Sequence, residues 1–179
     1  MSATAHIALL ARYNTWMNDK LYEAAAALPP QELAADRKAF FGSLLATLNH
    51  IAVADTIWLK RFAGHPRFAA ALAPIAALPA PASLDQMLSD SLAGLRERRA
   101  FLDRQVLDWA STLRDEDLGA VISYHRYNGD AHHKQLGQLL LHFFNHQTHH
   151  RGQATTLLSQ AGVDVGATDL LLLVAEAEI

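Results

Sequence analysis

Apolar residues recur every three or four positions along four long stretches of the chain, each bounded by proline, glycine or a capping hydroxyl. The first predicts a helix from about Ala3 to Leu28, with Ser2 or Thr4 as N-cap and Pro29-Pro30 as its stop. Leu10, Met17, Leu21 and Leu28 mark its apolar side. A second helix is expected from Phe41 to Ala63, ending before Gly64-His65-Pro66. Residues 66–81, rich in alanine and proline, read as a loose connection with room for one short helix. A third helix is expected to start at Ser83 as N-cap and to run to about Leu113. Its charged residues Arg96, Glu97, Arg98, Arg99 and Arg104 read as a solvated face. Val121 to Tyr124 and the following Asn128-Gly129 predict a short extended stretch and a turn. The fourth long helix covers about Lys134 to Gln160, closed by Ala161-Gly162, and a short terminal helix lies near Thr168 to Ala175.

Four long amphipathic helices with one long crossover describe an all-α bundle, read as a single domain over residues 1–179. A chain of 179 residues, 51% of them apolar, can bury a core without disulfides or a structural metal. It has no cysteine, which excludes a disulfide framework, a thiolate zinc site, an iron–sulfur cluster and a cysteine nucleophile. A net charge of −3 argues against a broad basic surface, so no nucleic-acid partner is expected. The start shows no basic-then-apolar targeting pattern. Apolar runs such as Leu170 to Ala175 fall far short of the roughly 20 residues that span a bilayer. No membrane partner is expected, and the default location is cytoplasmic.

The chain has ten histidines, seven of them between His125 and His150. Imidazole is the commonest neutral metal ligand, and two at i, i+4 on a helix can reach one ion. Two such pairs occur, His142/His146 and His146/His150. On a wheel of about 100° per residue, His150 lies roughly 30° and His146 roughly 70° from the apolar direction of the fourth helix. His142 and His149 lie roughly 110° and 130° away by the same arithmetic, at the flank. Gln147 also points inward, where an amide needs a hydrogen-bond partner. A third ligand must come from another helix, and His6, His50 and Asp55 are candidates. Asp55 falls near the middle of the second helix's main apolar face, whereas His50 lies roughly 130° from it. Small apolar neighbours around His50 keep it open as a ligand if that helix is buried on two sides. His6, His65, His125, His132 and His133 read as ordinary surface or hydrogen-bonded histidines.

Several segments together resemble the DinB/YfiT-like superfamily. They are Ala11-Arg12-Tyr13-Asn14-Thr15-Trp16, the run Thr47 to Asp55 with Trp58 to Phe62, Gly166 to Leu170 and, most specifically, Asn145-His146-Gln147-Thr148-His149-His150-Arg151-Gly152-Gln153. The correspondence covers most of the chain outside residues 63–120. The resemblance implies an up-down-down-up four-helix bundle, a homodimer, and a divalent metal held by three histidines. Carried over by position, these are His50, His146 and His150, with zinc or nickel as the typical ion. Asp55, Gln147, His149 and Asn14 are then expected to line the pocket or support the ligands. Characterised members include thiol-dependent enzymes, mycothiol-dependent maleylpyruvate isomerase and bacillithiol S-transferases. That implies a metal-dependent S-transferase whose nucleophile is an external low-molecular-weight thiol, consistent with a chain lacking cysteine. Two other readings stay open. One is a metal-dependent hydrolase with Asp55 as the base; the other is a non-catalytic, stress-related metal- or ligand-binding protein. A di-iron carboxylate site is disfavoured, because no inward Glu-x-x-His pairs occur on the long helices. The catalytic residues and the substrate, an unidentified small molecule, are not read from the sequence.

Overall fold

In a computed structural model, which describes residues 2–176, the chain is mostly helical. Helix α1 spans Ala3–Ala25, α2 Pro30–Ala34, α3 Leu44–Ala63, α4 Ala73–Ala76, α5 Leu92–Thr112 and α6 Leu136–Gln160. Between α5 and α6 stand a 3-10 turn at Asp115–Gly119 and an antiparallel hairpin, β1 (Val121–His125) with β2 (Ala131–Gln135). Three of the long helices begin at a serine whose hydroxyl accepts an orphan backbone N–H: Ser2 from Ala5, Ser43 from Ala46 and Ser91 from Gly94. Helix α6 has no such cap. It runs directly out of β2, with the Leu136 amide donating to the Ala120 carbonyl at 2.8 Å.

Five boundaries differ from the sequence reading, for local reasons. The third long helix starts after Ser91 and not at Ser83. Over the preceding stretch, Asn49 of α3 supplies hydrogen bonds that a helical turn would otherwise make. Its Oδ1 accepts from the Leu88 and Ser89 amides and its Nδ2 donates to the Ser89 carbonyl. The second long helix starts at Leu44 and not at Phe41, because Gly42, at φ +80°, turns the chain just before it. Helix α1 stops at Ala25, and Pro30, expected only as a stop, instead opens the short α2. Residues 131–135, placed partly in the last long helix, form β2, because the turn at Asn128-Gly129 folds them back on β1. The terminal helix is a single 3-10 turn at Leu170–Leu173. The short helix in the proline-rich connection is α4.

Helix α1 packs against α5 and α6, and α3 against the same two. Their inward apolar residues, among them Leu21, Leu48, Phe62, Leu102 and Phe143, join in one buried cluster. Helix α3 is the most enclosed: 15 of its 20 residues are buried, so polar side chains on either flank are drawn into the interior. That enclosure brings His50, Asn49 and Asp55 inside together. Among the described residues, no helix is long and apolar enough to cross a membrane.

Candidate metal centre

Helix α6 carries His146 and His150 one turn apart, and α3 presents His50 to them. Each of the three offers a ring nitrogen, and these atoms all lie within 4.8 Å of one another. His50 Nε2 is 3.2 Å from His150 Nε2. Both rings are held from behind at Nδ1, His50 by the Leu84 carbonyl at 2.8 Å and His150 by Gln153 Oε1 at 2.7 Å. A carbonyl or amide oxygen only accepts, so each Nδ1 donates and each neutral ring presents an unprotonated Nε2. This is the arrangement in which ligating histidines are usually fixed. Two facing lone pairs at that distance repel unless a cation attracts both. A tetrahedral ion with bonds of about 2.0–2.1 Å places its ligand nitrogens about 3.3 Å apart, so the donors fit a metal.

The surroundings keep the imidazoles neutral. Burial pushes the pKa of His50 and of His150 below the ordinary histidine value. Burial, reinforced by the neighbouring imidazoles, takes His146 down to about 3. Phe41, left outside α3 by the Gly42 turn, stacks on His50 with ring centroids 4.0 Å apart and meets His150 edge-on. It shields one side of the triad.

Behind the histidines lies a buried polar layer that only the tertiary structure reveals. Asp55 Oδ2 accepts from Gln147 Nε2 at 2.9 Å and from Arg99 Nη1 at 2.5 Å. Arg99 also faces Asp103 at 2.9 Å, and Asp103 accepts from Asn14 and Asn18. The Asn14 oxygen in turn accepts from Arg151, the residue after His150. Two arginines and two aspartates thus share the interior. Burial pushes the Asp103 carboxyl up to about 6 against the pull of Arg99, and it draws Arg151 down to about 10. Burial also opposes the charge on Arg99, but Asp103 and Asp55 outweigh it and leave that pKa raised. Asp55 Oδ1 and Gln147 Oε1 have no hydrogen-bond partner among the described residues.

The expected residues therefore separate. His50, His146 and His150 come together. Asp55 and Gln147 form the layer behind them, and Asn14 anchors Arg151 and Asp103. His149 is exposed beside His150 and outside the triad, and His6 is also exposed. Arg99, expected on a solvated face, is only 3% exposed. Its partners explain the difference: Asp103 sits one turn along α5 and Asp55 arrives from α3. The supports at Leu84, Gln153 and Phe41 were not foreseen as such. Gln153 lies in the quoted His-rich segment at i+3 from His150, a spacing that could have indicated its role.

A cavity of about 430 Å³ opens beside the triad, with His50, His146 and His142 at one end. Ala54, Ile57 and Trp58 form an apolar wall, and Arg61 and the hairpin turn at Arg126 to Asn128 complete the lining. Asp55 is not among its lining residues.

The DinB family model matches residues 1–178, and the chain belongs to that family. It is 27% identical over 161 residues to Protein DinB of Bacillus subtilis (strain 168), covering 89% of this chain and 88% of that protein. Its fold is similar to the crystal structure of a DinB-like protein from Bacillus cereus, with a TM-score of 0.60 at 20% identity. That similarity covers 87% of this chain and 91% of the other.

Proposed function

We propose that the chain binds a divalent metal ion, zinc or nickel, through His50, His146 and His150 and serves as an enzyme acting on a small molecule in the adjoining cavity. The observation that supports this best is the pair of Nε2 atoms 3.2 Å apart, both left as lone-pair donors by the bonds at Nδ1. Three imidazoles leave coordination positions free for an incoming ligand. An ion held there supplies Lewis acidity that lowers the pKa of a thiol or of water.

Of the two, an external thiol is the better match, which makes the chain a low-molecular-weight-thiol S-transferase. A hydrolase needs a base near its water, and the acidic residue nearest the triad is already committed. Asp55 is bonded to Arg99 and Gln147 and does not line the cavity. The absence of cysteine from the chain suits a nucleophile that arrives with the cofactor. The chain's own residues would neutralise, orient and enclose. Leu84 and Gln153 set the tautomers of His50 and His150, Phe41 covers the rings, and the Trp58 wall excludes water from the reacting end. We further propose the up-down-down-up four-helix bundle and the homodimer that the family resemblance implies.

The first test is metal content of the purified protein beside His146→Ala/His150→Ala. Loss of bound metal in the variant supports the site, and equal content refutes it. Metal-loaded protein is then assayed with several low-molecular-weight thiols and chloro-dinitrobenzene. Saturable thiol turnover supports the transferase; ester hydrolysis without thiol, or no turnover at all, overturns it.

A further inference from the structure

The cavity beside the triad is electrically lopsided. Arg61 on α3 has its guanidinium against the rings of both Trp58 and Tyr124, 4.6 and 4.5 Å from their centroids, and the two rings meet edge-on beside it. Its single hydrogen bond within the described residues goes from Nη2 to the His125 carbonyl at 3.2 Å, which leaves other N–H donors for a ligand. Arg126, on the hairpin turn, lines the same cavity. Neither makes a salt bridge among the described residues. Among the described residues no aspartate or glutamate lines the cavity, and the nearby Asp130 carboxylate is turned back to accept from Asn128. Burial, and to a smaller degree the like charge of Arg126, works against the charge on Arg61. Such a half-buried cation is costly to keep without a counter-ion, and contact with the two rings already fixes its pose.

We infer that this end of the cavity is an anion seat, in which Arg61 and Arg126 bind the carboxylate or phosphate of a small molecule whose apolar body lies along Ile57 and Trp58 toward His146. As a statement about the substrate or thiol cofactor, this rests on the function proposed above; the anion seat itself does not require the metal. The volume of about 430 Å³ suits a ligand of metabolite size. The seat is assembled from separate parts of the chain. Tyr127 of the hairpin turn donates to the Pro81 carbonyl at 2.9 Å, which holds the turn against the connection that leads to Leu84. The same contact therefore links the anion end with the segment that supports His50.

The test is calorimetric titration of the metal-stripped full chain with 3-phenylpropionate, phenyl phosphate and the neutral 3-phenylpropanamide. At least one anion is expected to bind about tenfold or more tighter than the amide, and the tighter of the two identifies the anionic group. Arg126→Gln, at an exposed turn position, should remove about tenfold of the anion's affinity, and Arg126→Lys should retain most of it. Arg61→Gln should act likewise, with circular dichroism checking that loss of the stacking leaves the fold intact. Equal binding of anion and amide, no binding of either anion, or unchanged affinity in a folded Arg126→Gln overturns the assignment. Uptake of zinc and of nickel is measured on remetallated portions of the same preparations. Anion discrimination in a protein that takes up neither ion would refute the metal reading and leave the anion seat standing.

Discussion

Arg99 is the residue whose removal the structure most clearly condemns. It is 3% exposed, with Asp55 and Asp103 as its anionic partners, 1% and 3% exposed. Replacing it with methionine keeps much of the volume but leaves two buried carboxylates without their shared cation. Breaking a buried ion pair from one side costs about 3–5 kcal/mol, a large part of the roughly 5–15 kcal/mol that stabilises a typical domain. The loss should depend on pH in a definite direction. The folded-state pKa of Asp103, about 6, lies above its ordinary 3.8. Its contribution is therefore fully present below the lower value and is lost as pH rises through the higher one. Without Arg99 that carboxyl titrates higher still, so the gap between Arg99→Met and wild type should be widest above neutrality and narrow toward about pH 5. Urea unfolding at both ends of this range measures it. Adding Asp103→Asn to Arg99→Met should restore at least about 1 kcal/mol at neutral pH, because one orphaned charge disappears. A single-variant cost below about 1 kcal/mol, or a double variant whose losses simply add, would refute the buried-charge argument.

Two further outcomes follow from the same geometry. Asn49→Ala removes the side chain bonded to the Leu88 amide and to both backbone groups of Ser89, and loosens the segment whose Leu84 carbonyl orients His50. Zinc affinity by chelator competition should fall about tenfold with all three histidines in place, and an unchanged affinity would count against this support. In metal-stripped protein, His146 has a folded pKa of about 3 against an ordinary 6.5, so its contribution is present above 6.5 and is lost as pH falls toward 3. His146→Gln should therefore flatten the acid side of the stability profile from urea midpoints. A slope identical to wild type would show that His146 is not held neutral.

Much of the candidate metal centre could be read from helical phase. His146 and His150 fall toward the apolar direction of their helix, and the structure places both in the triad. The locations of the long helices were also legible, because three- and four-residue apolar spacing is a local signal, as is the cap at Ser2. Element boundaries failed where a distant group satisfied the backbone. Ser83 looks as good a cap as Ser91, and only Asn49 from another helix decides between them.

The amino-acid sequence alone determined which residue types were on hand for chemistry: many imidazoles, no thiol, and two histidines already facing one way. It did not select the third histidine of the triad. A wheel assumes one buried face and set His50 aside from the main one, leaving the resemblance to select it. The tertiary structure shows α3 enclosed on nearly all sides, so a residue far from the main apolar stripe is still interior. The same limit hid Arg99. A run of charges reads as solvated until the fold delivers Asp55 from 44 positions away, and a buried charge is tolerated only where its partner is brought to it.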